Sequence, residues 1–216
     1  MSAPGAEVFL ITLEEHQLGH DLRLFSDKAT VGDVLEALAA FAAERLADCR
    51  GCDGCCHERA PLTAPDVLAL SALLPAGEYP LQAACLAYAE VFADKNGIVD
   101  ITLRRDAEGG CLFLNKEGKY CKNWAARPFV CRSHFCLPRS SRLEDLRAAI
   151  ANRGENELIR LLLEEQAAGA PAFLPLTAEL SQYPPDTAFA AGGWEAIRVK
   201  DIVPPKLWPE LRECRA

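Results

Sequence analysis

Eight of the ten cysteines in this chain fall in two blocks, and that spacing constrains the fold more than any other feature. The first block is Cys49-Arg-Gly-Cys52-Asp-Gly-Cys55-Cys56, a C-x2-C-x2-C-C run. The second strings Cys111, Cys121, Cys131 and Cys136 together with gaps of nine, nine and four residues. Cys85 and Cys214 stand apart. Cysteine-rich chains are either exported and disulfide-stapled, or reduced and metal-binding. Met1 to Glu7 carries no positive charge and the apolar run Val8–Leu13 is short, so no signal peptide is expected. A chain of 216 residues, half of them hydrophobic, can also bury a core without staples. Metal ligation by a cytoplasmic protein is therefore the expectation, ahead of buried free thiols or disulfides.

A two-residue gap lets a tight turn aim two thiolates at one centre, and Gly51 and Gly54 suit the positive φ values of such turns. Zinc ribbons use two separate C-x2-C pairs, whereas three cysteines at consecutive C-x2-C steps resemble the ferredoxin runs that hold [4Fe–4S] clusters. Iron–sulfur is thus favoured over zinc. Adjacent side chains rarely share a centre, so Cys55 and Cys56 are expected to face different ligand sets. Eight thiols then divide into two four-thiolate sites, or into one site with four supporting cysteines; spacing leaves both open. His57 and His134 lie within the blocks and are weaker ligand candidates. Cys85, in an apolar stretch, reads as a small core residue, and Cys214 as incidental.

Charge bears on the same site. Residues 111–142 carry Lys116, Lys119, Lys122, Arg127, Arg132, Arg139 and Arg142 against Glu117 alone, a net +6 in a chain of net −8. A four-thiolate zinc site or oxidised [4Fe–4S] centre carries a net charge of about −2, which a partly dry core tolerates only beside cations and N–H donors. Arg127 and Arg132, flanking Cys131, are the expected supporting cations, with Trp124 shielding the centre from water. The lysines read as a solvated face. The acidic remainder argues against nucleic acid as a partner, and no apolar stretch reaches the roughly 20 residues of a membrane span.

The rest of the pattern predicts an α+β, mainly helical single domain over residues 1–216. It divides into an N-terminal hairpin and helix (1–48), a cysteine-cluster core (49–138) and a helical C-terminal wrap (139–216). Val8–Leu13 and Leu22–Phe25 are expected to form the hairpin through a Gly-containing turn, with His16 and His20 on its surface. Thr30, with Asp33 three residues on, caps a helix carrying Val31, Val34, Leu35, Leu38 and Phe41. Thr63-Ala-Pro-Asp66 opens a second helix to about Leu74, and Leu81–Ala93 is a third. Ile98–Leu103 is a strand, Leu112–Leu114 and Tyr120 flank a short hairpin-like loop, and Ser141 with Glu144 caps a helix to about Gly169.

The run CxxCxxCC, then Cys111-Leu-Phe-Leu, then Cys121-Lys-Asn-Trp124-Ala-Ala-Arg127-Pro128-Phe-Val-Cys131-Arg132, resembles the YkgJ-type CxxCxxCC cysteine-cluster family, labelled for zinc or iron chelation. The resemblance spans about residues 49–136. This chain has Trp124 where the family commonly has Tyr, and it adds Cys136. The resemblance implies metal chelation by these cysteines and no particular activity. Flagellin lysine methylases share a similar motif with an iron–sulfur cluster, but no cofactor-binding fingerprint extends that likeness here.

Three functions follow from the residues. The first is an iron–sulfur electron carrier, or an accessory of redox or metal metabolism, working with a protein redox partner. The second is a zinc-bearing structural or interaction module. The third is an enzyme whose cluster adjoins an active site near Arg127.

Overall fold

A computed structural model describes residues 5–45, 51–94, 98–174, 178–190 and 192–213. Cys49 and Cys214 lie outside the described residues. Among those described, six strands form three antiparallel pairs. They are β1 (Ala6–Thr12) with β2 (Leu18–Leu24), β3 (Ala89–Ala93) with β4 (Val99–Leu103), and β5 (Leu114–Asn115) with β6 (Tyr120–Cys121). The α-helices are α1 (Val31–Arg45), α2 (Ala64–Ser71), α3 (Pro80–Tyr88), α4 (Phe129–Arg132), α5 (Ser141–Ala167), α6 (Val199–Ile202) and α7 (Leu207–Arg212). The class is α+β and mainly helical. No helix among the described residues is long and apolar enough to cross a membrane.

The chain forms two compact units, each built from separated segments. One takes residues 1–47, 132–150 and 190–216; the other takes 48–131 and 151–189. In the first unit β1 and β2 pair with Val8 opposite Leu22 and Leu10 opposite His20. The turn between them is made by Glu15 and His16, at φ 59° and 61°, rather than by glycine. Gly19 falls inside β2 instead. The Thr30–Asp33 capping box forms as expected: Thr30 Oγ1 accepts the Asp33 N–H at 3.1 Å, and the Asp33 carboxylate accepts the Thr30 N–H at 2.7 Å. Gly32 permits the close approach of the C-terminal segment there, since a Cβ would stand 3.1 Å from Glu195 Cα. Main-chain bonds from Val31 to Ile197 and from Gly32 to Trp194 fix that approach.

Two expectations in this unit are corrected. His16 is exposed, but His20 is buried, with its Nδ1 2.9 Å from the Pro138 carbonyl and its ring stacked on Phe41. The tertiary partners Phe41, Phe135 and Pro138 all lie far from it in sequence, so a local reading placed it in a turn. The hydroxyl capping α5 belongs to Ser140, which accepts the Leu143 N–H at 3.1 Å; the expected cap was Ser141. Ser140 in turn donates to Asp21, and Arg142 meets Asp21 at 2.7 Å in a buried ion pair. One of the seven clustered cations is thus a structural element of this unit's interior.

The second unit buries Leu62, Val67, Leu70, Cys85, Ile101, Leu103, Leu158, Ile159 and Leu162 in one cluster. Cys85 is a core residue, as its apolar context predicts, and burial pushes its thiol up to about 12. The third helix is shorter than expected. α3 stops at Tyr88, and Ala89–Ala93 becomes a strand paired with β4, because Val91 and Phe92 gain a cross-strand partner in Ile101 and Asp100. α2 likewise ends at Ser71, short of Leu74.

Glu155, on α5, accepts the Ile101 N–H at 2.8 Å beside the Asp100 carboxylate. Burial raises its pKa from 4.5 to about 7, and Asp100 adds to the rise. The folded state therefore holds this proton more tightly than the unfolded chain. The resulting stabilisation is complete below about pH 4.5 and is lost as pH rises to about 7. Glu155→Gln keeps the acceptor and cannot ionise. It is expected to stabilise the protein by about 1–2 kcal/mol at pH 8 and by almost nothing at pH 4.5. Urea unfolding at the two pH values checks this; equal effects at both would refute the assignment.

Candidate metal centre

The second unit holds Cys52, Cys55, Cys56, Cys111, Cys121 and Cys131, and main-chain bonds lace the two blocks together. The Cys111 N–H donates to the Cys56 carbonyl at 2.8 Å, and the Gly51 N–H donates to the Lys119 carbonyl at 3.0 Å. Gly51 has φ +84°, the left-handed conformation its turn requires. Leaving the first block, residues 60–62 run antiparallel beside β4, with Leu62 N–H on Ile101 O and Leu103 N–H on Ala60 O, both 2.8 Å. Past β4, Arg105 bridges to Cys111, and Cys121 pairs with Leu114 in the small hairpin. Main-chain pairing thus ties the first block to β4 and to Cys111, and sets Cys121 in the small hairpin that follows.

Cys131 arrives by another route. Asp66 completes the Thr63 capping box through Oδ2 and accepts the Phe129 N–H at 2.8 Å through Oδ1. Pro128 then turns the chain, its carbonyl accepting the Cys131 N–H at 3.0 Å. Gly154 of α5 makes room for this cap, because a Cβ there would stand 2.7 Å from Thr63 Cβ. The Thr63 N-cap was legible in the sequence; the bond of Asp66 to Phe129, spanning 63 residues, was not.

All eight described cysteines are free thiols, so no disulfide accounts for the clustering among the described residues. Cys52 and Cys55 are exposed, and Cys56, Cys111, Cys121 and Cys131 are half-buried. The sulfurs sense one another. A hydrogen bond from Cys56 holds Cys55 well below the usual thiol range, at about 6, with Arg127 adding to the pull. The same bond pushes Cys56 up, and burial and the Cys55, Cys111 and Cys121 thiols push it the same way. Burial raises Cys111, whose sulfur accepts the Phe113 N–H at 3.4 Å. Burial also raises Cys131 to about 12, with Cys111 and Cys55 reinforcing and Arg127 opposing.

These donors suit a soft metal: sulfur throughout, an N–H directed at one of them, and a cation alongside. The sulfurs are gathered without being closed on a point, for among the described residues no three His, Cys, Asp or Glu side chains are grouped as one ion requires. Cys136 is exposed and belongs to the other unit, as does Arg132 at the end of α4. Arg127 lies 3.5 Å from the Trp124 ring centroid, with its Nε buried and unbonded among the described residues. Trp124 is itself 51% exposed, so its ring covers Arg127 from solvent on one side while facing water on the other. His57 is exposed, 3.8 Å from Asp53, and His134 lies in the first unit. Lys116, read as part of a solvated face, is exposed and neutralised by Asp106 and Glu108, both at 2.7 Å.

No curated protein and no solved structure matches the chain. Residues 48–151 match the model of the CxxCxxCC family, described as "Putative zinc- or iron-chelating domain". The matched span contains both cysteine blocks and the Asp66, Phe129 and Arg127 scaffold around them, so it is this segment of the chain that is similar to the CxxCxxCC family.

Proposed function

We propose that the cysteine cluster holds a [4Fe–4S] centre and that the protein acts as an electron carrier or as an accessory of redox or metal metabolism. The lacing of Cys56 to Cys111 through the main chain carries this reading, since it brings the ferredoxin-like run and the second block into one place. Cys55, Cys111, Cys121 and Cys131 are the proposed principal ligands, with Cys49, Cys52 and Cys56 available to complete the set or a second one. Cys136 is the remaining candidate. Bound there, an iron–sulfur centre supplies one-electron chemistry. The chain's own residues would do the rest: Arg127 offsets the negative charge of the thiolates, Phe113 N–H stabilises the Cys111 sulfur, and Asp66 holds the Cys131 turn in register. Cytoplasmic placement belongs to the same proposal, because free thiols persist in a reducing compartment.

Anaerobic purification followed by a visible spectrum and iron, sulfide and zinc analysis tests it. A brown protein with comparable iron and acid-labile sulfide is expected. A colourless protein carrying stoichiometric zinc would replace this reading with that of a zinc-stabilised interaction module.

A further inference from the structure

A cavity of about 420 Å³ opens in the second unit beside the cysteine cluster, lined by Arg104, Arg105, Asp106, Leu112, Leu114, Lys116 and Lys122. Four of these are cations and one is an acid. Asp106 is already committed: its carboxylate meets Lys116 at 2.7 Å and accepts the Glu108 and Gly110 N–H groups. Lys116 is likewise neutralised, by Asp106 and Glu108. The other three cations carry no carboxylate partner for their side chains among the described residues. Arg104 donates to the carbonyls of Leu86 and Ala89, and Arg105 to the carbonyl of His57. Carbonyl partners orient a guanidinium without cancelling its charge. Glu90 accepts the Arg105 main-chain N–H at 3.3 Å. Lys122 is exposed, and its ammonium makes no bond or ion pair among the described residues. Leu112 and Leu114 supply an apolar wall.

We infer that this cavity binds a small organic oxyanion, a molecule with two or more negative charges at one end and an apolar body at the other. The volume lies in the range of small-molecule sites, roughly 300–1,000 Å³. Three uncancelled cations favour a dianion over a neutral molecule. The leucines give the body a place that a bare inorganic anion would leave empty. The main chain places the site beside the cysteines: Leu112 follows Cys111, Lys122 follows Cys121, and the Leu112 N–H donates to the Arg104 carbonyl at 3.0 Å. A bound molecule would therefore sit against residues that follow two of the cysteines in the chain. The inference goes beyond the metal-centre reading and does not rest on which metal is held there.

Calorimetric titration of the purified full chain tests it, with phenyl phosphate, isophthalate, inorganic phosphate and benzyl alcohol as probes. Saturable binding of phenyl phosphate or isophthalate is expected, tighter than that of inorganic phosphate and of the neutral alcohol. The tighter of the two aromatic anions identifies the oxyanion as phosphate ester or carboxylate. Lys122→Gln should weaken that probe about fivefold, the upper worth of one exposed ion pair, while Lys28→Gln in the other unit leaves it unchanged. The Lys122 ammonium makes no hydrogen bond or ion pair among the described residues, and its main-chain bond to the Phe113 carbonyl is kept in the variant, so folding is not at stake. No saturation by either aromatic anion below about 10 mM overturns the inference. Equal binding of inorganic phosphate, or equal weakening by Lys28→Gln, overturns it too. Metal content measured on the same samples reports separately on the metal centre, so failure of one reading is not failure of the other.

Discussion

Cys55→Ser is expected to lower bound metal to below about one tenth of the wild-type content and to loosen the second unit around it. Cys55 is held well below the usual thiol range, and it acts electrostatically on Cys56, Cys111 and Cys131. Serine keeps the size and loses the soft donor. The metal would be bound by residues from two stretches more than 50 positions apart, so its binding energy is also folding energy. Hydrogen exchange should therefore rise in residues 51–62 and 111–131 once metal is lost, and chelation of the wild-type protein should reproduce that pattern. Cys85→Ala is the control. It removes a buried thiol of the same unit, costs core stability of about 1 kcal/mol, and leaves the metal content intact. Unchanged metal in Cys55→Ser would remove this residue from the ligand set.

Asp21→Ala should destabilise the first unit by about 3–5 kcal/mol, the cost of leaving a buried charge without its partner. Asp21 and Arg142 are each 4% exposed at the side chain and 2.7 Å apart. Asp21 also accepts from the Leu22 N–H and from the Ser140 hydroxyl, both at 2.7 Å. Arg142 spends its remaining donors on the carbonyls of Leu22, Glu210 and Glu213, which ties β2 to the end of α7. Removing the carboxylate strands the guanidinium and frees the hydroxyl that caps α5. The double variant Asp21→Leu with Arg142→Met should recover most of the loss, since apolar groups of similar volume replace a buried pair at little cost. Denaturant unfolding measures both. A loss under about 1 kcal/mol in Asp21→Ala would mean that water reaches the pair.

The Thr30–Asp33 capping box and the Thr63 N-cap were legible because a cap is a contact between residues three apart. The β1–β2 hairpin was legible for a similar reason, although its turn uses Glu15 and His16 and so lacks a glycine signal. Where the reading of the sequence went astray, a distant partner decided the outcome. Ala89–Ala93 continues an apolar helical pattern, yet pairing with β4 supplies main-chain bonds on which that local pattern is silent. His20 looks like a turn residue until Phe41, Phe135 and Pro138 close over it.

The metal-chelating character was written in the sequence itself, because C-x2-C-x2-C-C spacing puts sulfurs on short turns whatever surrounds them. The sequence also carried the mainly helical class, since apolar period and caps are local. Only the tertiary structure brought Cys111 to Cys56, seated Cys131 through Asp66, and set Cys136 in the other unit. It alone brought Arg104 and Arg105 together with Lys116 and Lys122 in one cavity lining. Those outcomes depend on hydrogen bonds and packing between residues tens of positions apart, and no periodicity or motif encodes them.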